Sequence, residues 1–495
     1  MEQLRQLVSL ISTSLDTVEE VFSRHNLAVP TLDTAYDPAS PAEELLSDPA
    51  VSTALLTIVA ASGQLTATFR KPTIAILNAA ALFNVSAAIR TVSELHVANV
   101  LEEAGAQGMH AEELGAICKT DALHTARILR LLATHHIFNE VAPDTFGNNR
   151  ISSALVKEHP LQDLLSSRRD DAFQMRSYES ERTAFVDFLL GRSSEVPFKC
   201  AAYGLDTLIS PIPDQLPFNR AYRTTDTFYE WLSSSENEHL RRRLDVGMRA
   251  TEQTRIRDEI FRAFLGFPWS NLPPGSILVD VGGGVGSVTL QIATRYPALR
   301  VIVQDLEQVA EAAAELWRLK FPSHIENQMM EFQGTVSTIF SPPQPATLSS
   351  STSPAVIFVL RYILHNWDDL RAISILKHLR AVAATRKMSV KNAITKVVII
   401  ETVPALATRT RSSVHIDPEE TAELRAPEPL LPNWGIANTE AYFLDMAMHQ
   451  LAGARERPLE SYREIMREAG WKLESVFHGG PPVSWELSHL VGDPM

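Results

Sequence analysis

Two acids and a run of glycines carry the first chemical signal in the sequence. Ile277-Leu-Val-Asp280-Val-Gly282-Gly283-Gly284-Val-Gly286 reads as an apolar strand running into a glycine turn, and SVTLQIATRY after it reads as a helix. Glycines let backbone approach a ligand closely and adopt positive φ. A strand, a glycine turn and a helix could also hold a dinucleotide phosphate. The spacing separates the two uses. Asp280 sits at the strand end two residues before the first glycine, and the pattern is D-x-G-x-G-x-G rather than G-x-G-x-x-G. Asp305 ends the next apolar run, RVIVQDL, where a carboxylate can accept both hydroxyls of a ribose. Asp280, Gly282, Gly284, Gly286 and Asp305 therefore predict a nucleoside cofactor held by the loop Asp280–Ser287, with S-adenosylmethionine ahead of NAD. A tight structural turn alone would leave the second acid unexplained.

These residues need a sheet to position them. After Pro273-Pro274-Gly275 come the β-rich runs SILVDVGGG, RVIVQDL, AVIFVLRYIL and KVVIIETV, separated by helical stretches. Such alternation predicts an α/β domain over 273–495 with a parallel, doubly wound sheet. Residues 341–353 and about 404–436 are rich in Pro, Ser, Thr or Glu and read as exposed loop insertions.

Upstream, residues 1–72 read as a polar-faced helical extension, with Asp37 to Ala50 as a proline-punctuated loop. Over 73–165 the runs HVANVLEEAG, MHAEELGAICKT and DALHTARILRLLATHHIF predict three short helices, the third capped by Asp121. FNEVAPDTFGNNRIS follows as a hairpin wing. Residues 166–272 read as a helical connector contributing to a substrate pocket. Its aromatic and apolar residues Phe228, Tyr229, Trp231, Leu232 and Met248 are expected in the core by default, and the run Arg241–Arg243 on a solvated helix face.

Helix–turn–helix plus wing is shared by many DNA-binding proteins, and the third helix carries Arg127 and Arg130. A formal net charge of −14 over 495 residues argues against a broad nucleic-acid surface, so a dimerisation module is the expectation. Hydrophobic content of 45% and charged content of 21% are those of a globular protein. The only cysteines are Cys118 and Cys200, which provides neither a disulfide framework nor a cysteine zinc site. The N-terminus reads as an amphipathic helix rather than a secretory signal. Ile74 to Ile89 is interrupted by Asn78, Asn84 and Ser86 and is shorter than the ~20 residues of a membrane span. It is expected as a buried helix in a subunit contact. A cytoplasmic enzyme with no membrane or nucleic-acid partner is the resulting expectation.

With the glycine loop and Asp305 stands a second motif, FVLRYILHNWDD (Phe358 to Asp369), about 80 residues after the first. Together they resemble the plant-caffeate-type small-molecule O-methyltransferases, especially the fungal branch acting on polyketide phenols, over about 75 to 490. The resemblance implies a mainly α, winged-helix-like dimerisation domain, a C-terminal Rossmann-like methyltransferase domain and a homodimer. It places Arg361 at the cofactor and makes His365 the general base. It also carries over Glu401, ending KVVIIETV, and Glu456 in GARERPLESY, as the carboxylates that flank the histidine and hold its ring. Arg455 and Arg457 leave a second reading of Glu456, as a solvated ion-pair residue. Met248, in DVGMRATEQ, matches a methionine that packs near cofactor or acceptor, although Leu244 replaces the usual first residue of that helix motif. After Gly334 the family's short acidic or amide segment is replaced by EFQGTVSTIFSPPQP, so no adenine contact is assigned there.

The chemistry implied is in-line displacement at an activated methyl, for which the protein must chiefly align and deprotonate an oxygen. A phenol ionises near pH ~10, whereas an imidazole with pKa ~6.5 is mostly neutral at pH 7 and can take that proton. No compact carboxylate cluster of magnesium type is visible near the motifs, so no metal is expected. A relative using the same fold and cofactor for a pericyclic or dehydrative step is the rival reading.

Overall fold

The computed structural model of the chain describes residues 1–166, 195–244, 267–320, 330–335, 348, 351–409, 425–478 and 487–495. The chain divides into two compact units, Met1–Thr254 and Arg255–Met495.

In the first unit, helix Glu2–Arg24 buries Leu7, Ser14, Val18, Val21 and Phe22, spaced at three, four and seven residues so that they share one face. That face packs on helix Pro49–Phe69 through Val51 and Ala54. Asp48 caps the second helix by accepting from Ala50 and Val51 N–H, with Pro49 at its first position. The expected loop before it contains a short helix, Pro41–Leu45, capped by Ser40.

The winged module follows as expected. Helices Val97–Ala104, Ala111–Cys118 and Ala122–Thr134 enclose a core that includes Leu101, Leu114, Leu129, Leu132 and Phe146. Asp121 caps the third helix, accepting from His124 N–H at 2.7 Å. Strands β1 (Met109–His110), β2 (Asn139–Ala142) and β3 (Thr145–Gly147) form an antiparallel sheet in the order β1-β3-β2. The N-terminal extension is tied to this module around Arg150. Arg150 forks onto the Glu43 carboxylate, one of the two bonds being 2.6 Å. Alongside, Tyr36 N–H donates to Ser153 Oγ at 2.8 Å and Arg150 N–H to Leu32 O at 2.8 Å.

Three expectations for this unit change. Helix Pro72–Ala81 buries none of its residues within one chain; Ile76 and Leu77 are 71% and 61% exposed, as a helix left for a subunit contact would be. The run Pro72–Glu94 is also 23 residues, and it and Pro49–Phe69 are both long and apolar enough to cross a membrane by length and composition. In the arginine run, Arg241 and Arg242 are exposed, but Arg243 turns inward. Glu94 and Glu195 draw it in, each 3.3 Å from its Nη1. Of the connector aromatics, Phe228 and Trp231 pack around fully buried Phe218 at 5.5 and 5.4 Å between ring centres. Tyr229 instead lies exposed. Met248 is outside the described residues.

The second unit holds seven strands in the order β6-β5-β4-β7-β8-β10-β9: β4 (Ile277–Val281), β5 (Arg300–Leu306), β6 (Met330–Thr335), β7 (Ala355–Arg361), β8 (Ile394–Thr402), β9 (Trp471–His478) and β10 (Leu487–Pro494). β4 to β8 pair in parallel, and β10 is antiparallel to both β8 and β9. Alternate residues feed opposite faces. Val279, Phe358, Val397 and Ile399 pack with Leu376, Tyr462 and Trp471. Leu278, Val359, Val398 and Ile400 pack with Ile292, Trp269 and Trp317 on the other side. This is the doubly wound sheet predicted from the strand runs, and the order reverses between β4 and β7. In such sheets a crevice opens at that point, outside the carboxyl ends of the strands.

The two insertions are less exposed than expected where they are described. Leu348 is 1% exposed and joins the sheet core. Fully buried Arg386 donates to Ser351 O and Ser353 O at 2.9 and 2.6 Å. In the second insertion Ala426, Leu430 and Trp434 are buried. Short apolar anchors inside polar stretches decided these cases, and composition averages them away.

The Arg150–Glu43 tie between the extension and the winged module gives a direct test. Glu43→Ala should leave Arg150 without its fork and lower unfolding free energy by about 1.5–3 kcal/mol. Denaturant titration would measure it, and protease cleavage should concentrate before residue 72.

Candidate functional site

The glycine loop is shaped by what its neighbours occupy. Asp280, 3% exposed at the end of β4, accepts from Thr289 Oγ1 at 3.1 Å through Oδ2. A Cβ at Gly283 would overlap that carboxyl group and lie 2.9 Å from Val303 Cγ1. Gly282, Gly284 and Gly286 take φ of +71°, +56° and +75°, which L side chains rarely adopt. Gly282 and Gly283 N–H both donate to Gln304 O, at 2.7 and 3.2 Å. Trp317 Nε1 donates to Val285 O at 2.7 Å. The loop is a backbone cradle with no side chain on its Gly282–Gly284 stretch. Gly283 was not singled out from the sequence, although its lack of a Cβ makes room for Asp280.

Asp305 does two local tasks. Gly284 N–H donates to its Oδ2 at 2.8 Å, and Leu306 N–H to its Oδ1 at 2.7 Å. The acid of β5 therefore braces the loop that leaves β4. Both bonds fix the carboxylate beside the glycine loop at the carboxyl end of β5.

His365 is carried by the segment that leaves β7. Tyr362 takes a left-handed φ of +53°, and the chain enters the single 3-10 turn Leu364–Asn366. Glu401, at the end of the adjacent strand β8 and 0% exposed, organises that turn. Its Oε1 accepts from the N–H groups of Ile363, Leu364 and His365 at 3.0, 2.7 and 3.3 Å, and its Oε2 accepts from Tyr462 OH at 3.2 Å. Glu456 binds the ring: Nδ1 of His365 and Oε1 of Glu456 are 2.7 Å apart, with both side chains buried. The expected pair of ring-holding carboxylates thus divides its work. Glu456 holds the imidazole and Glu401 holds the backbone beneath it.

Burial shifts these groups. Desolvation raises the Glu401 pKa, and the Glu456 charge pushes it the same way; the His365 interaction and the backbone donors oppose them. Burial also raises Tyr462 well above an ordinary phenol, with the neighbouring Glu401 charge adding to it. Tyr462 was not found from the sequence, because only the fold brings it beside a residue 61 positions away.

The other expected residues fall as follows. Arg361 ends β7, its guanidinium 5.3 Å from the Tyr362 ring centre. Arg455 and Arg457 do not pair with Glu456; both bind Asp369, at 2.5 and 2.9 Å. β6 ends at Thr335, and the stretch after it, where an adenine contact was in question, is outside the described residues through 347. His365, Glu401 and Glu456 place one ligating atom each within 4.8 Å of the others, as metal ligands could. Four protein donors already engage Glu401, and Nδ1 of His365 is committed to Glu456. In the winged module, Arg130 is paired with Glu140 and Asp144, each at 2.7 Å, so its charge is met from within.

Comparison with known proteins identifies the family. A family model for the O-methyltransferase dimerisation domain matches residues 77–158, and one for the O-methyltransferase domain matches residues 204–418. An O-methyltransferase of Armillaria gallica is 33% identical over 481 residues, 96% of this chain and 95% of that protein. The 4-O-methyltransferase 1 of Phanerochaete chrysosporium is 33% identical over 479 residues, again 96% and 95% of the two chains. Among solved structures, the mitomycin 7-O-methyltransferase MmcR superposes with a TM-score of 0.54 at 18% identity, covering 86% of this chain and 97% of that one. LepI in complex with S-adenosylmethionine gives 0.55 at 19% identity, covering 92% and 97%. The distant structures establish the fold; identity of 33% sustained along nearly all of both chains establishes more, and the chain belongs to the S-adenosylmethionine-dependent O-methyltransferase family.

Proposed function

We propose that the chain methylates a hydroxyl, phenolic in character, on a small aromatic metabolite, with His365 as general base. The observation that carries the reading is the buried 2.7 Å bond between His365 Nδ1 and Glu456. An ionised carboxylate only accepts, so Nδ1 is the donor and the lone pair resides on Nε2. That nitrogen takes the acceptor's proton, and Glu456 stabilises the imidazolium that forms. Help of this kind contributes roughly 10²–10⁴ in rate. Glu401 keeps the turn, and so the ring, in place while charge moves.

Gly282, Gly284, Gly286 and Asp305 would hold S-adenosylmethionine, which when bound supplies an activated methyl group. The side-chain-free cradle and the acid beside it fit a nucleoside. A hydroxyl acceptor is supported by relatives named as 4-O- and 3-O-methyltransferases of Phanerochaete chrysosporium. A homodimer is supported by the dimerisation-domain match and by the exposed apolar residues Ile76, Leu77 and Phe83 beside and within it. One solved structure of this fold is described as a pericyclic reaction enzyme. A buried imidazole–carboxylate pair favours proton removal and methyl transfer over that alternative.

Radiolabelled S-adenosylmethionine and a panel of phenols test the proposal. Label should pass to a phenol with the wild-type chain. His365→Ala should abolish turnover at neutral pH while cofactor affinity stays nearly intact; near-normal activity would remove His365 as the base. Tight cofactor binding with no transfer to any acceptor would favour the non-methylating reading. Asp305→Ala should weaken cofactor binding by about 1.5–3 kcal/mol, measured by calorimetry.

Glu401 gives a pH-dependent prediction. Its folded pKa lies above the unfolded value, so the stability it contributes is complete below the ordinary glutamate pKa of ~4.5 and is lost as pH rises through the folded value. Glu401→Gln keeps an amide oxygen for the turn's N–H groups but cannot ionise. Wild-type stability relative to Glu401→Gln should therefore fall as pH rises above the ordinary glutamate range, read from paired unfolding curves. A constant difference would show that Glu401 does not titrate in this way.

A further inference from the structure

We infer that Arg457, fixed by Asp369, is a positioning residue that sets the orientation of the His365 ring. Arg457 is 0% exposed, and every guanidinium nitrogen is in use. Nη1 donates to Leu364 O at 2.7 Å and Nη2 to Trp367 O at 2.5 Å. Nε donates to Asp369 Oδ1 at 2.9 Å. Leu364 and Trp367 bracket His365 and Asn366 in the chain, so the fork grips the turn by its carbonyls while Glu401 grips it by its N–H groups. The turn is clamped from both polar sides of its backbone.

The three residues Arg455, Glu456 and Arg457 share this task. The flanking arginines reach the two oxygens of Asp369, with Arg455 Nη2 2.5 Å from Oδ2. The middle residue reaches the ring, and its N–H donates to Asp445 Oδ1 at 2.8 Å. One short segment therefore carries both the carboxylate that binds the imidazole and the guanidinium that binds the imidazole's backbone. A small displacement of that segment moves ring and carboxylate together and preserves their distance. Burial works to raise the Asp369 pKa, but the hydrogen bonds from Arg457 and Arg455 outweigh it and leave the carboxyl below its ordinary value. The partner of the clamp is thus ionised at neutral pH. A planar fork matches two carbonyls and a carboxylate at once, which the single ammonium of lysine does not.

The inference rests on the reading of His365 as base, and its test separates the two. Full-length wild type, Arg457→Ala and Arg457→Lys would be labelled with ¹⁵N-histidine, with His365→Ala identifying the His365 signals. Each would be assayed on phenols that are un-ionised and on phenols already ionised at the assay pH. The wild-type ring should show a fixed Nδ1–H tautomer, and Arg457→Ala should lose it. Turnover of un-ionised phenols by Arg457→Ala should fall roughly 10²-fold, with a much smaller loss for ionised phenols and unchanged affinity for S-adenosylmethionine. Arg457→Lys should restore neither the tautomer nor the rate in full, and it carries the test if the alanine variant does not fold. Wild-type ring signals in both variants, or equal losses on both classes of phenol, would overturn the inference. Should His365→Ala itself turn over un-ionised phenols normally, the base reading fails, while the ring signals still decide what Arg457 does.

Discussion

Three backbone N–H groups of one short turn converge on a single oxygen of Glu401, in a place with no access to water. A carboxylate so buried is costly unless its charge is met by donors, and here backbone supplies most of them. The dependence runs both ways. The turn has no continuing helix or strand to satisfy those N–H groups, and among the described residues the acid has no cation bonded to it. Each makes the other tolerable, and the left-handed Tyr362 that starts the turn persists because the far side of the bend is held so firmly.

From that pairing the rest of the site acquires its roles. The second acid, Glu456, is spared from structural work and keeps one oxygen for the imidazole; its other oxygen has no hydrogen-bond partner among the described residues. A buried carboxylate with a single partner is a poor structural element and a good electrostatic one, because the charge it presents to the ring is not dispersed over several donors. At the other side of the crevice the logic is similar. Asp280 fills the space a side chain on Gly283 would need, and Asp305 steadies the same loop from β5. Acids at the carboxyl ends of β4, β5 and β8 thus organise the backbone on either side of β7.

Much of this was legible in the sequence, for identifiable reasons. Strand alternation and the D-x-G-x-G-x-G spacing are local signals, and the parallel sheet, the glycine turn and the acid of β5 followed from them. Asp121 was legible as a cap because capping is decided within three residues. Residues whose roles depend on distant partners were not legible from spacing. Glu456 lies 91 positions from the ring it binds, and Arg457 93 from the turn it grips. Read locally, the pair looked like a surface ion-pair cluster. Arg243 was misjudged for the same reason, since its partners Glu94 and Glu195 come from elsewhere in the chain. Leu348 and Trp434 were hidden inside polar stretches whose average composition signals exposure.

The strand order bears on how the molecule folds. β10 follows β9 in the chain yet lies between β8 and β9, so β9 has no place on the sheet until β10 is inserted. The β9–β10 pairing is local, whereas β10 meets β8 across a far longer stretch of chain, with Ser488 opposite Glu401. Loop-closure entropy favours the local pair first and its docking onto β8 afterwards. Until that docking, β8 is an edge strand, and Glu401 at its end lies open to solvent along that edge. The parallel sheet can thus form before the histidine turn is secured, an order in which the site is completed last.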